Sequence, residues 1–233
     1  MNIILFEPGE AGSPLPIRDP RAVHILRVLG RREGDRFDAG IVNGPAGKGL
    51  LVKVGARALE ILLEANRPPA PADPVHLLLA VPRPQTARKI LNEAASMGVA
   101  SMRFFNPEKG ERSYASSTLW SGGEWRRHLV EGAAQAFDTR IPELTMHASL
   151  GEAIGAVPAG CAGIALDNYE AAARLGAGHA ERPIALAFGA ERGWSSAERA
   201  LLRESGFGIA HLGPRVLRME TAVVAALALV KSG

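Results

Sequence analysis

The 233-residue chain holds a single cysteine, Cys161, so neither an intramolecular disulfide framework nor a cysteine-based zinc site is open to it. That residue reads as a small buried hydrophobe at the edge of a strand. The six histidines are scattered, with no H-x-x-x-H spacing, which argues against metal catalysis; no metal is expected. No stretch approaches the ~18 consecutive apolar residues of a membrane span. Met1 to Pro8 lacks the basic start and long apolar run of a secretory signal, so a cytoplasmic location is expected. Charge of one sign is not strongly dominant either. A formal net charge of +3 and a pI near 9.3 permit a nucleic-acid partner without establishing one. What remains, 47% hydrophobic and 22% charged residues, describes an ordinary folded protein, long for one domain and comfortable for two.

Asn2 to Phe6 reads as a short apolar strand broken by Glu7-Pro8-Gly9. Asp19-Pro20 then opens a helix, with Asp as cap and Pro in the first turn, and Gly30 closes it. Val23, Leu26 and Leu29 are its expected buried stripe. His24, Arg27, Arg31 and Arg32 cluster on or just after this helix. Singly each suits a solvated face near a helix C-terminus, and together they suit a phosphate-contacting patch. Strands are expected over Arg36 to Val42, Gly49 to Ala56 and Ala58 to Glu64, separated by glycine turns in the manner of a small barrel. Gly44 to Gly49 is a hairpin turn and not a P-loop, because the required glycine and hydroxyl residue around Gly47-Lys48 are missing.

Four prolines in the nine residues from Asn66 to Pro74 mark the clearest boundary, a stiff connector at 67–74 between an N-terminal domain (1–66) and a C-terminal one (75–233). Beyond it strands and helices alternate. Strands are expected at Val75 to Val81, Val99 to Phe105, Cys161 to Leu166, Ile184 to Phe188 and Gly208 to Leu212. Helices are expected after Val81, over Glu124 to Phe137, after Ser195 and over Ala222 to Val230. That alternation argues for an α/β domain with a mostly parallel sheet. Arg83, Arg88 and Lys89 stand at a helix start, where the dipole disfavours cations, which tilts them from a solvated face toward contact with a polyanion.

Two loops stand out. Phe188 to Ser195 follows a strand and opens a helix, with Ser195 and Glu198 spaced as a capping box. Gly189 and Gly193 there permit close backbone approach at a carboxyl edge, the usual ligand position in open α/β sheets, although the spacing is no dinucleotide fingerprint. Leu212 to Ala222 places Arg215, Arg218 and Glu220 between two segments that both read as buried. Capping by Glu220 and Thr221 would explain those two residues and leave both arginines unexplained.

These stretches resemble a known family. Phe188 to Ser195 is similar to the signature I-G-P-E-G-G-F-S and Leu212 to Ala222 to L-G-P-R-I-L-R-T-E-T-A, both of the RsmE family of ribosomal RNA uridine methyltransferases in the SPOUT class. His24 to Leu29 looks like that family's H-V-L-R-V-L, and Ala94 to Val99 like its A-T-E-L-G-V. The chain departs at Ala190 and Arg192 (family Pro and Gly), at Met219 (Thr) and at Ala136-Phe137-Asp138 (S-G-R). The resemblance implies a PUA-like β-barrel that binds RNA, joined to a SPOUT α/β domain with a trefoil knot, a homodimer, and methylation of a uridine at N3 in small-subunit ribosomal RNA. It implies a pocket for S-adenosylmethionine built from Leu166, Phe188, Gly189, Glu191, Gly193, Leu212, Gly213, Leu217, Thr221 and Ala222. RNA contact then falls to His24, Arg27, Arg31, Arg83, Arg88, Lys89 and Arg215. Arg218 is the first choice to stabilise charge on the base, being permanently cationic and fork-shaped, with Arg215 second. Glu220 is either a base or a partner for Arg218.

Three other readings stay open: a non-catalytic RNA-binding protein, an α/β enzyme for another nucleotide, and a methyltransferase with a different RNA target. The helix from Ala222 to Val230 is apolar on all sides and must bury itself in its own core or against a second subunit.

Overall fold

The computed structural model describes residues 2–176 and 183–232 and divides into two units, Met1–Pro71 with Val130–Ile141, and Ala72–Leu129 with Pro142–Gly233. The first is built on strands β1 (Ile4–Phe6), β2 (Leu15–Pro16), β3 (Arg36–Ile41), β4 (Ala46–Val54) and β5 (Ala58–Arg67), paired in the order β1-β3-β4-β5-β2. All pairs are antiparallel except β1 with β3. The hairpin between β3 and β4 turns at Asn43, whose left-handed backbone (φ 56°) is one that Asn tolerates.

Helix α1 (Pro20–Val23) starts as expected. Asp19 accepts the backbone N–H of Arg21, and Pro20 stands where its missing N–H costs nothing. It then widens into a π-helical turn, His24–Val28, with the N–H of Leu29 reaching back to the carbonyl of His24. The extra residue in that turn changes the phase of the stripe. Ala22 and Ile25 are the fully buried residues, joining Phe6, Phe37, Leu51 and Leu59 in the core, while Val23 is 40% exposed. Leu26 and Leu29 are partly buried against the same core.

Residues 130–141 are sewn to this unit by backbone. Ile3 N–H donates to Ala134 O, Asn43 N–H to Thr139 O, and Ile141 N–H to the Asn43 side chain. Thr139 Oγ1 donates to Gly44 O at 2.6 Å.

The second unit holds seven strands, all parallel: β6 (Asp73–Ala80), β7 (Val99–Phe105), β8 (Glu143–His147), β9 (Ala162–Leu166), β10 (Ala173–Arg174), β11 (Ile184–Phe188) and β12 (Gly208–His211). Their spatial order is β10-β12-β9-β11-β6-β7-β8. From β6 the chain steps outward through β7 to β8, then crosses to the other side for β9, β11 and β12. The β6–β11 boundary is therefore where the direction of winding reverses. Every residue of β11 is buried, as a central parallel strand covered on both faces requires.

Helix α2 (Pro84–Ser96) buries Ala87, Ile90, Leu91 and Ala94, the face that its periodicity predicts, and Gly98 follows in a left-handed conformation (φ 72°). Shorter helices α3 (Thr118–Ser121) and α5 (Leu150–Gly155) flank α4 (Glu124–Gln135), and α6 (Ser196–Glu204) precedes the last strand. Helix α7 (Met219–Lys231) packs on α2 and buries Met219, Val223, Ala226, Leu227 and Val230. It begins three residues earlier than the sequence suggested. Arg218, not Thr221, stands at its N-cap, and its side chain makes no capping bond; Thr221 lies inside the helix and is exposed. Cys161 is half-buried just before β9, where burial pushes its thiol up despite the opposing field of Arg103. No described helix is long and apolar enough to cross a membrane.

Candidate functional site

The carboxyl ends of β9, β11 and β12 open into one cleft, formed by the three loops of the second unit that follow these strands. Leu166 to Tyr169 supply one wall, Phe188 to Glu191 with Gly193 and Trp194 the floor, and Leu212, Val216, Leu217, Met219 and Ala222 the other wall. Most of these side chains are apolar. Polar recognition therefore falls to backbone groups and a few side chains at the mouth, the usual build of a small-molecule site.

Trp194 organises the floor. Its indole is buried, stacks parallel to Phe105 with ring centroids 6.1 Å apart, and donates Nε1–H to Leu166 O at 2.9 Å. That bond ties the loop after β11 to the end of β9. Gly193 just before it is left-handed (φ 73°), a backbone that L side chains rarely adopt. Downstream, Ser195 accepts the N–H of Glu198 and the Glu198 carboxylate accepts the N–H of Ser195, the reciprocal cap that its spacing predicts. The same carboxylate also accepts Glu108 N–H at 3.1 Å, which draws in the loop after β7.

The loop after β9 is held by charge. Asp167 is buried; its Oδ2 accepts Arg199 Nε at 2.6 Å and its Oδ1 accepts Tyr169 N–H at 2.8 Å. Asn168 donates to the carbonyls of Gly213 and Arg215, joining the first and third loops. Tyr169, 76% exposed, projects at the mouth beside Gly193.

Leu166, Phe188, Gly189, Glu191, Gly193, Leu212, Leu217 and Ala222 all line this cleft, so the residues named from sequence for a cofactor are brought together; Gly213 and Thr221 lie beside it without lining it. Asp167, Asn168, Tyr169 and Trp194 were missed. For the first three the Asp-Asn-Tyr run directly after an apolar strand was the only signal, whereas Trp194 stood inside the Phe188 to Ser195 stretch without being named itself. Arg218 sits at the rim between two lining residues, Leu217 and Met219, with its side chain exposed, and Arg215 is exposed as well.

Three of the cations named for RNA contact hold carboxylates. Arg83 Nε lies 3.3 Å from Glu191, Arg88 grips Glu124 through Nε (2.9 Å) and Nη2 (3.1 Å), and Lys89 Nζ reaches Glu220 at 3.1 Å. Arg88, followed by His128, holds the Glu124 carboxyl down to about 2. Glu220 is only 14% exposed. Burial pushes its carboxyl up, but its own backbone N–H, Lys89 and Arg218 together outweigh that and leave it below the usual range. In the first unit Arg27 and Arg31 face solvent, whereas His24 has its Nε2 buried without a hydrogen-bond partner among the described residues.

A family model for RNA methyltransferase domains matches residues 68–231. Ribosomal RNA small subunit methyltransferase E of Treponema pallidum (strain Nichols) is 33% identical over 99% of this chain and 90% of its own length. The chain belongs to this family of RNA methyltransferases. Ribosomal RNA small subunit methyltransferase E 1 of Borreliella burgdorferi is 25% identical over 97% of this chain and 95% of its own. In fold, the chain is similar to a crystal structure of ribosomal RNA small subunit methyltransferase E from Neisseria gonorrhoeae bound to S-adenosyl methionine. The TM-score is 0.75 at 23% identity, over 97% of this chain and 95% of the other.

Proposed function

We propose that this protein transfers a methyl group from S-adenosylmethionine to N3 of a uridine in small-subunit ribosomal RNA. The observation that carries the reading is the cleft at the carboxyl edge, built by three loops that belong to the matched family region. Its residues suit the cofactor: Leu166, Phe188, Leu212 and Leu217 offer apolar walls, Gly189 leaves room for the Trp194 indole to pack beneath them, and Tyr169 stands exposed at the mouth. When bound, the cofactor supplies an electrophilic methyl on a sulfonium. In the overall exchange the sulfur–methyl bond breaks, the N3–methyl bond forms, and the N3 proton is lost.

The chain's own part is positioning and charge. Trp194, Asp167 and Asn168 fix the three loops against one another before anything binds, which lowers the entropy lost at the moment of reaction. Arg218, at the rim and permanently cationic, is placed to stabilise the negative charge that develops on the uracil oxygens as the N3 proton leaves. Glu220 is a poor proton acceptor, because Lys89 and Arg218 hold its carboxyl low; its part is to anchor the start of α7. Arg27, Arg31 and Arg215, all exposed, contact RNA phosphates, and the first unit is the PUA-like RNA-binding domain. The same reading includes a trefoil knot in the second unit, a homodimer, and work in the cytoplasm.

The deciding experiment compares base modifications in small-subunit ribosomal RNA from cells with and without this protein, alongside calorimetric titration with S-adenosylmethionine. Absence of both a lost modification and cofactor binding would refute the reading. Arg218→Ala is expected to abolish methyl transfer and leave cofactor affinity largely intact.

A further inference from the structure

The sheet of the first unit has two unlike faces. Its inner face carries Phe37, Leu51 and Leu59 and is covered by Ala22 and Ile25 of the helical segment. Its outer face is ordered by the register of β4 with β5. Lys48 stands opposite Glu64, Leu50 opposite Leu62, and Lys53 opposite Glu60. The outward row along β4 therefore reads cation, apolar, cation, and the row along β5 anion, apolar, anion. Val52, the extra residue at the bulge between Leu51 and Lys53, adds another exposed apolar side chain.

Beyond Leu59, β5 is also an open edge. β2 pairs only with Ala58 and Leu59, and among the described residues no backbone hydrogen bond joins Glu60 to Arg67 with any strand but β4. Alternate residues of such a strand turn their N–H and C=O groups outward, free to pair with another chain. Glu60, Leu62 and Glu64 are each about half exposed. Arg36 lies 3.1 Å from Glu64 and Lys53 3.7 Å from Glu60, but surface pairs of this kind are weak, and a carboxylate has acceptor sites to spare. Charge along an edge guards a protein against pairing with itself. A second copy laid antiparallel with Leu62 facing Leu62 would set Glu60 against Glu64 at both ends, like charges directly opposite. An RNA strand would meet the same two carboxylates. A strand with Lys or Arg at two positions four apart, and an apolar residue midway, repeats on the open side of β5 the row that β4 already presents on the other.

We propose that the β5 edge docks an extended basic segment of a protein on the small ribosomal subunit. The segment adds as a strand beside β5, with cations facing Glu60 and Glu64 and an apolar side chain facing Leu62. The assignment rests on the small-subunit substrate proposed above, since proteins that lie on a polyanion carry basic arms of this kind. Main-chain bonds along the edge supply affinity, and the alternate side chains supply specificity. The helical segment that bears Arg27 covers the opposite face, so RNA and protein are taken from two sides of the same unit.

The test measures affinity for assembled small ribosomal subunits and for the protein-free RNA extracted from them. The triple variant Glu60→Gln, Leu62→Thr, Glu64→Gln should bind the subunits about tenfold more weakly than the parent, the scale of three cross-strand pairs. Its affinity for the extracted RNA should hold or rise, because two negative charges are gone. The assignment is overturned if the parent does not bind the subunits, or if the variant binds them as well as the parent does. An equal fall for subunits and RNA overturns it too, and makes the edge an RNA surface. So does a smaller sedimentation mass for the variant than for the parent, which makes the occupant a second copy. If the triple variant does not fold, Glu60→Gln with Glu64→Gln decides by the same comparison. Failure of the methyltransferase reading shows separately, as absence of S-adenosylmethionine binding, and leaves these affinities as measured.

Discussion

A methyl group added at Gly189 would sit 2.9 Å from two carbons of the Trp194 indole, and that ring is held by Phe105 on its face and Leu166 O on its nitrogen. Gly189→Ala must therefore shift the pin between two loops of the cleft. Affinity for S-adenosylhomocysteine is expected to fall by about tenfold, since overpacking of this kind costs roughly 1–3 kcal/mol and about 1.4 kcal/mol is a factor of ten. Glu220 gives a pH-dependent counterpart. Its carboxyl is lower in the folded chain than in the unfolded one, so its contribution to stability is complete above the unfolded value and is lost as pH falls through the folded value. Lys89→Met should lower thermal stability at neutral pH and make no difference in acid, where Glu220 is protonated in both proteins. The loss should stay under about 1 kcal/mol because Lys89 is 59% exposed. At this scale the sequence was a partial guide. It singled out Arg83, Arg88 and Lys89 as cations misplaced at a helix start; their partners, Glu191, Glu124 and Glu220, lie up to 131 residues away and no local pattern could name them.

Elements were legible where burial is continuous or caps are local. β7 and β11 have the bounds expected of them: β11 is an unbroken apolar run, and β7 is buried along almost all its length in the same parallel sheet, Ser101 and Arg103 included. β8 escaped notice. It is an edge strand, its residues Glu143 to His147 are at least partly exposed, and its alternation is only two apolar residues long, Leu144 and Met146. The start of α7 was misplaced because Arg218, Met219 and Glu220 read as a charged loop, when Met219 is buried and the helix has already begun. The membership of 130–141 in the first unit could not be read at all, since helical periodicity states which face is buried and not against what. Two tests belong here. Ser195→Ala removes one arm of the reciprocal cap on α6 and should cost about 1 kcal/mol in denaturant unfolding. Arg88→Gln should release the Glu124 carboxyl upward from about 2 toward the ordinary range, which an NMR titration of that side chain would follow.

For the molecule as a whole, two of the exposed arginines proposed for RNA contact belong to a different unit from the cleft, which makes their effects separable from cofactor binding. Arg27 and Arg31 belong to the first unit and the cleft to the second. Replacing both arginines by Gln should weaken binding to small-subunit RNA and flatten its dependence on log salt by about 0.7–0.9 for each phosphate that is no longer neutralised. Affinity for S-adenosylhomocysteine should not change. A second cavity, lined by Val81, Pro82, Lys109, Tyr114 and Arg192 among others, shares Ala190 and Glu191 with the cleft, and this sharing couples the two. Glu191 is tethered by Arg83 and faces both cavities, so any displacement that one occupant imposes on it is also imposed on the other. Linkage then makes the effect reciprocal: the factor by which a filled cleft changes affinity in the neighbouring cavity equals the factor by which a filled cavity changes affinity in the cleft. That symmetry fixes the population of the doubly loaded protein and gives neither occupant precedence in the order of loading.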